Sequence, residues 1–124
     1  MPRSISFALT TEQFLNGTKD VTRRMGWEKL KAGDDLWGVK KAMGLKKGEK
    51  IERLGMIRIK SVRRERLDAM LSDILYGHDE CRREGFPDWH PSKFVIFFCE
   101  SHGCKAHDIV TRIEFEPIQP PEGE

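Results

Sequence analysis

The chain has 124 residues, the length of one domain with a single core, and 38% of them are hydrophobic while 34% are charged. No apolar run approaches the length that spans a membrane, so we expect no membrane partner. The amino-terminal residues lack the apolar core of a secretory signal. An odd number of cysteines, three, favours a reducing compartment such as the cytoplasm over a disulfide framework.

Charge is spread unevenly along the chain, although the net charge is only +2. Residues 1–66 contain 17 Lys and Arg against 8 Asp and Glu, a net of +9, whereas residues 67–124 contain 5 against 12, a net of −7. A basic face of this kind is typical of proteins that bind phosphate or nucleic acid. The two parts can equally neutralise each other across the fold, so charge alone leaves both interpretations open.

The first half of the chain predicts short strands joined by turns. Ile5, Phe7 and Leu9 alternate and predict a first strand, and residues 10–17 predict a short helix capped at Thr10. Further strands are predicted at residues 20–24, 36–43 and 53–67, with a turn at 31–35, a glycine-bounded basic loop at 44–50 and a bulge or bend at 61–62.

The second half predicts two helices and a closing strand. Residues 67–84 predict a helix that Gly77 interrupts, and residues 90–103 predict a helix with Pro91 in its first turn and Gly103 at its end. The buried face of the second helix is predicted to carry Phe94, Val95, Phe98 and Cys99. The last strand, at residues 108–116, is predicted to place Ile109, Thr111, Ile113 and Phe115 inward and Arg112, Glu114 and Glu116 outward.

These elements predict an α+β fold, a small and partly open β-barrel of five or six strands that carries two or three short helices. Residues 1–117 are predicted to form the domain. Residues 118–124, with two prolines, two glutamates and no core residue after Ile118, are predicted to form a disordered tail.

The stretch NGTKDVTRRMGW, residues 16–27, carries cations where a strand ordinarily carries more apolar residues. Alternation along the strand places Thr22 and Arg24 on one face, and Lys19 in the preceding turn can reach the same side. Cations and a hydroxyl that converge on one spot indicate a cleft for an anionic ligand. The alternative is a charged edge strand, whose lysines and arginines prevent aggregation.

Residues 17–24, GTKDVTRR, resemble the G-x-K-x-x-T-x-R signature of the ASCH domain, a branch of the PUA-like superfamily. Residues 33–50, 54–67, 83–87 and 97–115 are similar to segments of its small prokaryotic and phage-encoded members, so the resemblance covers about residues 4–116. It implies a small β-barrel with a basic cleft that accepts nucleic acid or a modified nucleoside. Some members of the family are implicated in RNA binding or RNA cleavage.

One branch of that family is an amidohydrolase that removes the acetyl group of N4-acetylcytidine with a lysine, a threonine and a glutamate. Residue by residue, the resemblance implies catalytic roles for Lys19, Thr22 and Glu84, with Glu80 one helical turn away as the alternative to Glu84. The function implied first is RNA or nucleotide binding. The alternative is a hydrolase of N4-acetylcytidine, or a ribonuclease, that uses the same cleft.

Both functions are chemically consistent with these residues. A threonine hydroxyl becomes a nucleophile when a base takes its proton, and Lys19 can do so if burial or a cation such as Arg24 lowers its pKa. Glu84 would then carry a proton to the leaving amine. In a pure binding cleft, Lys19 and Arg24 would hold phosphate, Thr22 would donate a hydrogen bond, and Glu84 would accept one from a base amine.

Further basic residues extend the predicted nucleic-acid-binding surface beyond this motif. The candidates are Lys19, Arg23, Arg24, Lys40, Lys41, Lys46, Lys47, Arg63 and Arg64. A solvated hairpin tip at residues 44–50 and a solvated strand end at residues 61–67 are the alternatives for the outer members. A protein-interaction module is a third class of function, which the charge asymmetry permits.

The cysteine, histidine and tryptophan residues predict no cofactor. Cys99, His102, Cys104 and His107 have no common zinc-site spacing, so we expect no metal, and Cys81 is predicted to be half exposed. Trp37 is predicted to be core, whereas Trp27 and Trp89 can either stack on a base or pack. The expected partner is RNA or a modified nucleoside or nucleotide, and the chain is expected to be a monomer or a weak dimer.

The basic half of the chain generates a prediction about salt. If phosphate contacts dominate, affinity for a single-stranded RNA falls steeply as salt rises, because each contact releases counterions. Titrations at several salt concentrations measure the slope. Undetectable binding at low salt would contradict the nucleic-acid hypothesis.

Overall fold

The computed structural model describes residues 3–41 and 46–120. Residues 42–45 and 121–124, which include the start of the predicted basic loop and most of the predicted tail, lie outside the described residues. The elements in chain order are β1 (Arg3–Ser6), α1 (Thr11–Leu15), β2 (Val21–Arg24), β3 (Asp35–Val39), β4 (Arg53–Arg66), α2 (Ala69–Ser72), α3 (Ile74–Glu84), α4 (Pro91–His102) and β5 (Ile109–Ile118).

One five-stranded sheet, in the order β1-β3-β4-β5-β2, forms the frame of the molecule. β1 runs parallel to β3, and the other neighbours are antiparallel. The 14-residue β4 pairs with β3 through its first part and with β5 along most of its length, and its register shifts between Ile59 and Ser61. That bulge, predicted one residue further on, bends the strand and curls the sheet into an open half-barrel. The predicted α+β barrel fold is confirmed.

The part of the chain that the structure describes contains four helices rather than two or three, because residues 67–84 break at Asp73 and not at Gly77. Asp73 has an extended backbone (φ −125°, ψ 102°), and its carboxylate accepts a hydrogen bond from Tyr76 N at 3.2 Å. This is an ordinary N-terminal cap, and it starts α3 directly after α2.

Gly77 is buried inside α3 because two neighbours approach it closely. A Cβ atom at this position would lie 2.0 Å from the carbonyl oxygen of Met70 and 2.8 Å from Cγ of Pro91. The glycine therefore allows α3 to pack directly on α2 and on the start of α4.

The sheet and the helices bury separate apolar clusters. The barrel cluster contains Ile5, Phe7, Leu30, Leu36, Ile57, Ile59, Ile113 and Phe115. The helical cluster contains Leu67, Met70, Cys81, Phe94, Val95, Phe98 and Val110. β5 contributes Ile113 and Phe115 to the barrel cluster and Val110 to the helical cluster, so this strand lies between the two cores. The face of α4 predicted to be core, with Phe94, Val95 and Phe98, is confirmed.

Four side-chain predictions were wrong. Leu9 is 64% exposed because β1 ends before it, and Ile109 is 44% exposed at the start of β5. Cys81 is fully buried, since it faces the helical cluster. Arg112, predicted to face solvent, is buried because it pairs with Glu80 on α3.

Two predicted strand ends also move. β3 ends at Val39, so Lys40 and Lys41 follow the strand instead of belonging to it. β5 continues through Pro117 to Ile118, which pairs with Met56, so these two residues extend the sheet. No described helix has the length and apolar character needed to cross a membrane.

The Gly77 contact predicts a sensitive position. Replacing Gly77 with Ala raises intrinsic helix propensity, yet we expect the overlap with Met70 to dominate and to lower the free energy of unfolding by about 1–3 kcal/mol. Thermal and urea unfolding followed by circular dichroism measure the change. Leu75→Ala, at an 80% exposed position of the same helix, is the matched control. A Gly77→Ala variant as stable as that control would contradict the packing argument.

Candidate functional site

Backbone hydrogen bonds hold the two residues that lead into the motif strand β2. Lys19 donates its backbone N–H to Gln13 O at 3.2 Å, which ties the strand to the end of α1. Asp20 donates its N–H to Arg83 O at 2.9 Å and accepts from Phe115 N at 3.0 Å. The turn before β2 is therefore fixed between α1, α3 and β5, and so is the direction in which the Lys19 side chain leaves it.

Glu84 reaches Lys19 because the residue after it is a glycine. α3 ends at Glu84, and Gly85 follows in the left-handed region with φ 102°. A Cβ atom on Gly85 would lie 2.7 Å from Gln13 Cβ and 3.6 Å from Lys19 Cβ, so a side chain here would push α3 away from the motif. With glycine, Lys19 Nζ donates to Glu84 Oε1 at 2.7 Å and to Glu84 O at 3.0 Å.

Arg23 is enclosed by carboxylates, to which it donates from both terminal nitrogens of its guanidinium group. Its side chain has no solvent exposure, and it donates to Glu84 Oε2 at 3.1 Å, Glu80 Oε1 at 2.6 Å and Glu65 Oε2 at 3.0 Å. Tyr76 Oη lies 3.2 Å away as a fourth acceptor. Burial alone would lower the pKa of Arg23, but the surrounding carboxylates raise it above its ordinary value. Arg23 is a positioning residue.

Glu80 and Glu84 have different surroundings, although they lie one turn apart on α3. Glu80 is 1% exposed, and besides Arg23 it accepts from Arg112 Nη2 at 3.0 Å. Burial would raise the pKa of Glu80, but Arg112 and Arg23 outweigh it and hold the pKa at about 2. Glu84 lines the pocket described below, whereas Glu80 does not. Of these two glutamates, only Glu84 therefore borders the pocket.

Thr22 and Arg24 share one face of β2, as the strand alternation predicts. Arg24 donates from Nε to Thr22 Oγ1 at 3.0 Å and from Nη2 to Ser6 O at 2.6 Å. Its guanidinium carbon lies 5.1 Å from the centre of the Phe7 ring. Thr22 is 3% exposed, so its hydroxyl is held in a nearly dry position.

These side chains form one wall of a pocket of about 170 Å³. The polar wall consists of Lys19, Thr22, Arg23, Arg24 and Glu84. A second part of the lining, the aromatic wall, consists of Phe86, Phe94, Phe97, Phe98 and His102, and residues 6–10 complete the lining. The His102 ring stacks on Phe98 with 4.1 Å between the ring centres. Sequence reasoning missed this wall, because the phenylalanines of α4 follow an ordinary core pattern.

Burial sets the electrostatics of the pocket. It lowers the pKa of Lys19, and the nearby Arg24 and Arg23 act in the same direction, while the ion pair with Glu84 opposes them. Burial also lowers the pKa of Arg24 to about 10. The charge of Arg23 is met by Glu65 and Glu80, so Lys19 and Arg24 line the pocket against Glu84 alone, and this charge balance favours an anionic ligand.

The other predicted nucleic-acid-binding residues lie outside this pocket. Lys40 and Lys41 line a second cavity of about 210 Å³, while Lys46 and Lys47 are exposed on the following loop. Arg63 and Arg64 are each about half exposed on β4 and lie at neither cavity. Arg63 pairs with Glu65 and Arg64 with Glu28, both at 2.9 Å, so this part of the basic half is neutralised within the fold.

The cysteines and tryptophans serve packing. Among residues 3–41 and 46–120, no three His, Cys, Asp or Glu side chains are grouped as metal ligands. The sulfurs of Cys99 and Cys104 lie 3.9 Å apart. Trp37 is buried as predicted, and Trp89 stacks on Phe86 with 4.1 Å between the ring centres. Trp27 packs against the barrel cluster.

Three solved structures share this fold at low sequence identity. The ASCH domain from Lactobacillus crispatus JV V101 is 15% identical, with a TM-score of 0.61 over 93% of this chain and 78% of that one. A mutant of the ASCH protein from Zymomonas mobilis is 15% identical, with a TM-score of 0.56 over 96% and 76%. A DUF984 protein from Enterococcus faecalis V583 is 17% identical, with a TM-score of 0.64 over 100% and 84%.

No protein-family model and no curated protein matches the sequence. The similarity to solved structures therefore rests on the path of the chain, and it confirms the ASCH-like fold that the GTKDVTRR motif implied.

The Glu80 environment generates a prediction about acid. Ionised Glu80 stabilises the fold above its unfolded pKa near 4.5, and this contribution is lost as pH falls towards about 2. We expect Glu80→Gln to cost on the order of 3 kcal/mol at pH 7, because it leaves the buried guanidinium of Arg112 without its carboxylate and removes one of the three carboxylates around Arg23. The difference from wild type should shrink as pH falls from 5 to about 2, because Glu80 takes up a proton first in the unfolded chain and then, near its folded pKa, in the folded protein.

Urea unfolding across this pH range measures that difference. Glu100→Gln, which removes an exposed carboxylate from α4, is the control and should change stability by less than about 0.5 kcal/mol at every pH. A Glu80→Gln deficit that stays constant down to pH 2 would contradict the assignment.

Proposed function

We propose that the protein binds the base of a nucleotide or of RNA in the pocket between β2 and α4. The observation that carries the proposal is that one pocket has both a polar wall, which includes Lys19, Thr22 and Glu84, and an aromatic wall. Aromatic stacking contributes about 1–3 kcal/mol per base in single-strand binders, while polar groups read the edge of the base. The ASCH-like fold is compatible with this role, although a fold by itself does not determine function.

The size of the pocket supports a ligand of one base. Its volume of about 170 Å³ is below the roughly 300–1,000 Å³ typical of pockets for drug-sized ligands. A single planar ring therefore suits it better than an extended stretch of chain. The excess of cations over carboxylates in the lining favours a ligand that carries phosphate.

The hydrogen-bonding capacity of the polar wall suits a base with an amine beside a carbonyl. Glu84 uses one bond at each carboxylate oxygen, to Lys19 and to Arg23, and each oxygen can accept another. Lys19 uses two of its three donors on Glu84. Glu84 is then available to an exocyclic amine and Lys19 to a carbonyl oxygen. Cytosine and guanine each present both groups on one edge, and cytosine is the one with a single ring, so we propose it as the preferred base.

Hydrolysis of N4-acetylcytidine is the second candidate, and the surroundings of Lys19 favour it. Burial lowers the pKa of Lys19, which brings the neutral amine closer to the working pH. Thr22 lines the same pocket, and its hydroxyl accepts from Arg24, so its own proton is available to a base. Within the described residues Lys19 bonds to Glu84 and not to Thr22, so catalysis requires the bound ligand to bring Lys19 Nζ to Thr22 Oγ1.

The proposed reaction is an acyl transfer in two stages. Neutral Lys19 takes the proton of Thr22 as Oγ1 attacks the acetyl carbonyl carbon, and Glu84 passes a proton from Lys19 to the N4 nitrogen. The carbon–nitrogen bond breaks, cytidine leaves, and the acetyl group remains on Thr22 as an ester. Water then hydrolyses the ester to acetate and restores the hydroxyl.

Thr22 separates the two candidates. In a binding pocket, Thr22→Val removes one hydrogen bond of about 0.5–1.5 kcal/mol and weakens cytidine or RNA binding by roughly 2- to 13-fold. In a hydrolase, Thr22→Val abolishes turnover of N4-acetylcytidine and leaves its binding nearly intact, whereas Thr22→Ser keeps a nucleophile and retains activity. Calorimetric titration and acetate release on the same samples measure both.

Thr18→Val is the matched control, because Thr18 belongs to the same motif but bonds to Gln13 and Asn16 outside the pocket. If Lys19 acts as the base, kcat/KM of the wild type should also rise with pH as Lys19 loses its proton. Binding that depends on the identity of the nucleobase, without hydrolysis of N4-acetylcytidine, supports the first candidate alone. If Thr22→Val binds and reacts in the same way as the control Thr18→Val, the pocket has neither function.

A further inference from the structure

The second cavity lies beside the first and is lined mainly by lysines. Its lining consists of Ala8, Lys40, Lys41, Glu49, Lys50 and Glu52, and its volume is about 210 Å³. Ala8, which is exposed, also lines the first pocket, so the two cavities share this residue.

The position of the second cavity follows from the pairing of β1 with β3. Phe7 donates its N–H to Val39 O at 2.8 Å, one residue beyond the ladder. Lys40 donates its N–H to Glu52 O at 2.9 Å and accepts from Ser6 Oγ at 3.3 Å. The backbone of Lys40 is therefore held directly beside the segment that forms the rim of the first pocket.

The charges of the second cavity do not cancel locally. Lys41 Nζ lies 3.7 Å from Glu49 Oε1 in an exposed pair, with 44% and 40% of the two side chains accessible. Lys40 and Lys50 have no carboxylate within 4 Å in the part of the chain that the structure describes. Lys40 and Lys50 are thus exposed cations without an ion-pair partner among the described residues, and their cavity shares Ala8 with the pocket that suits a base. A phosphate bound there would form charge-assisted hydrogen bonds with both.

We propose that the second cavity binds the phosphate of a nucleotide whose base occupies the first pocket. The inference rests on the proposed function and deepens it, because it makes the ligand a nucleoside phosphate or an RNA rather than a free nucleoside. A phosphate monoester on a mononucleotide and a phosphodiester in RNA have the chemistry that Lys40 and Lys50 recognise. A lysine cluster that is merely solvated gives no preference for either over the nucleoside.

The test compares nucleosides with their phosphates on the intact chain. Calorimetric titration determines the affinity of the four common nucleosides, of their 5′- and 3′-monophosphates, and of the corresponding RNA trinucleotides. For the base that binds best, we expect a phosphate to raise affinity about tenfold or more, as expected for hydrogen bonds to charged groups. That advantage should decrease as salt rises.

The Lys40→Ala/Lys50→Ala double variant locates the phosphate. We expect it to remove most of the tenfold advantage and to leave the affinity for the nucleoside within about twofold of wild type. Lys29→Ala/Lys31→Ala removes the same charge from exposed positions at neither cavity, and it should keep the advantage. This pair controls for a general loss of positive charge.

Each outcome decides a different claim. If no nucleoside, monophosphate or trinucleotide binds, the proposed function itself fails. If nucleoside and phosphates bind equally, or if the advantage survives in the Lys40→Ala/Lys50→Ala variant, the proposed function stands and the phosphate site is wrong. If a trinucleotide gains affinity through these lysines and a monophosphate does not, the cavity binds an RNA backbone and the inference stands.

Discussion

A chain of buried ion pairs organises this protein. Glu84 holds Lys19 and Arg23, and Glu80 holds Arg23 and Arg112, so cations and carboxylates alternate through the space between β2, β5 and α3. A buried charge without a partner is costly, and each link therefore fixes the position of the next. The sheet and the helices have separate apolar cores, and this ionic layer joins them. Any account of the pocket starts from it, because its members also form the polar wall.

The motif strand uses its two faces for different purposes. Arg23 points into the ionic layer and holds Glu84 in place, whereas Thr22 and Arg24 share the opposite face and line the pocket. Lys19 belongs to both the ionic layer and the pocket, since it is paired with Glu84 and also lines the pocket. Both proposed functions would use this same arrangement, and only the use made of the Thr22 hydroxyl separates them. The basic half of the chain is thus partly neutralised across the fold and partly used to line the pocket.

Local patterns predicted much of the fold and part of the site. Alternation placed Thr22 and Arg24 on one face, and glycine and proline marked the ends of α4. Glu84 came from family resemblance, because nothing local distinguishes it from Glu80. The ion pair between Glu80 and Arg112 joins residues that are 32 positions apart in the sequence. Sequence reasoning could use only the alternation of the strand, and it therefore assigned Arg112 to solvent.

The aromatic wall escaped prediction for a similar physical reason. Phenylalanines at helical spacing predict a buried face, and Phe94 and Phe98 are indeed buried, but the pattern does not reveal that this face also borders a cavity. Gly77 was assigned to a helix break because glycine is a poor helix former, whereas a close approach of Met70 and Pro91 requires it inside α3. Contacts between distant segments override local preference at both places.

The hydrogen bond from Arg24 to Ser6 has a further consequence. β1 and β2 are the two edge strands of the sheet and are not paired with each other, so this side chain spans the seam where the barrel would close. A ligand bound in the pocket would lie against both sides of that seam. Its binding would stabilise the edge of the open barrel, so hydrogen exchange of the amide protons of the short β1 would report whether the pocket is filled.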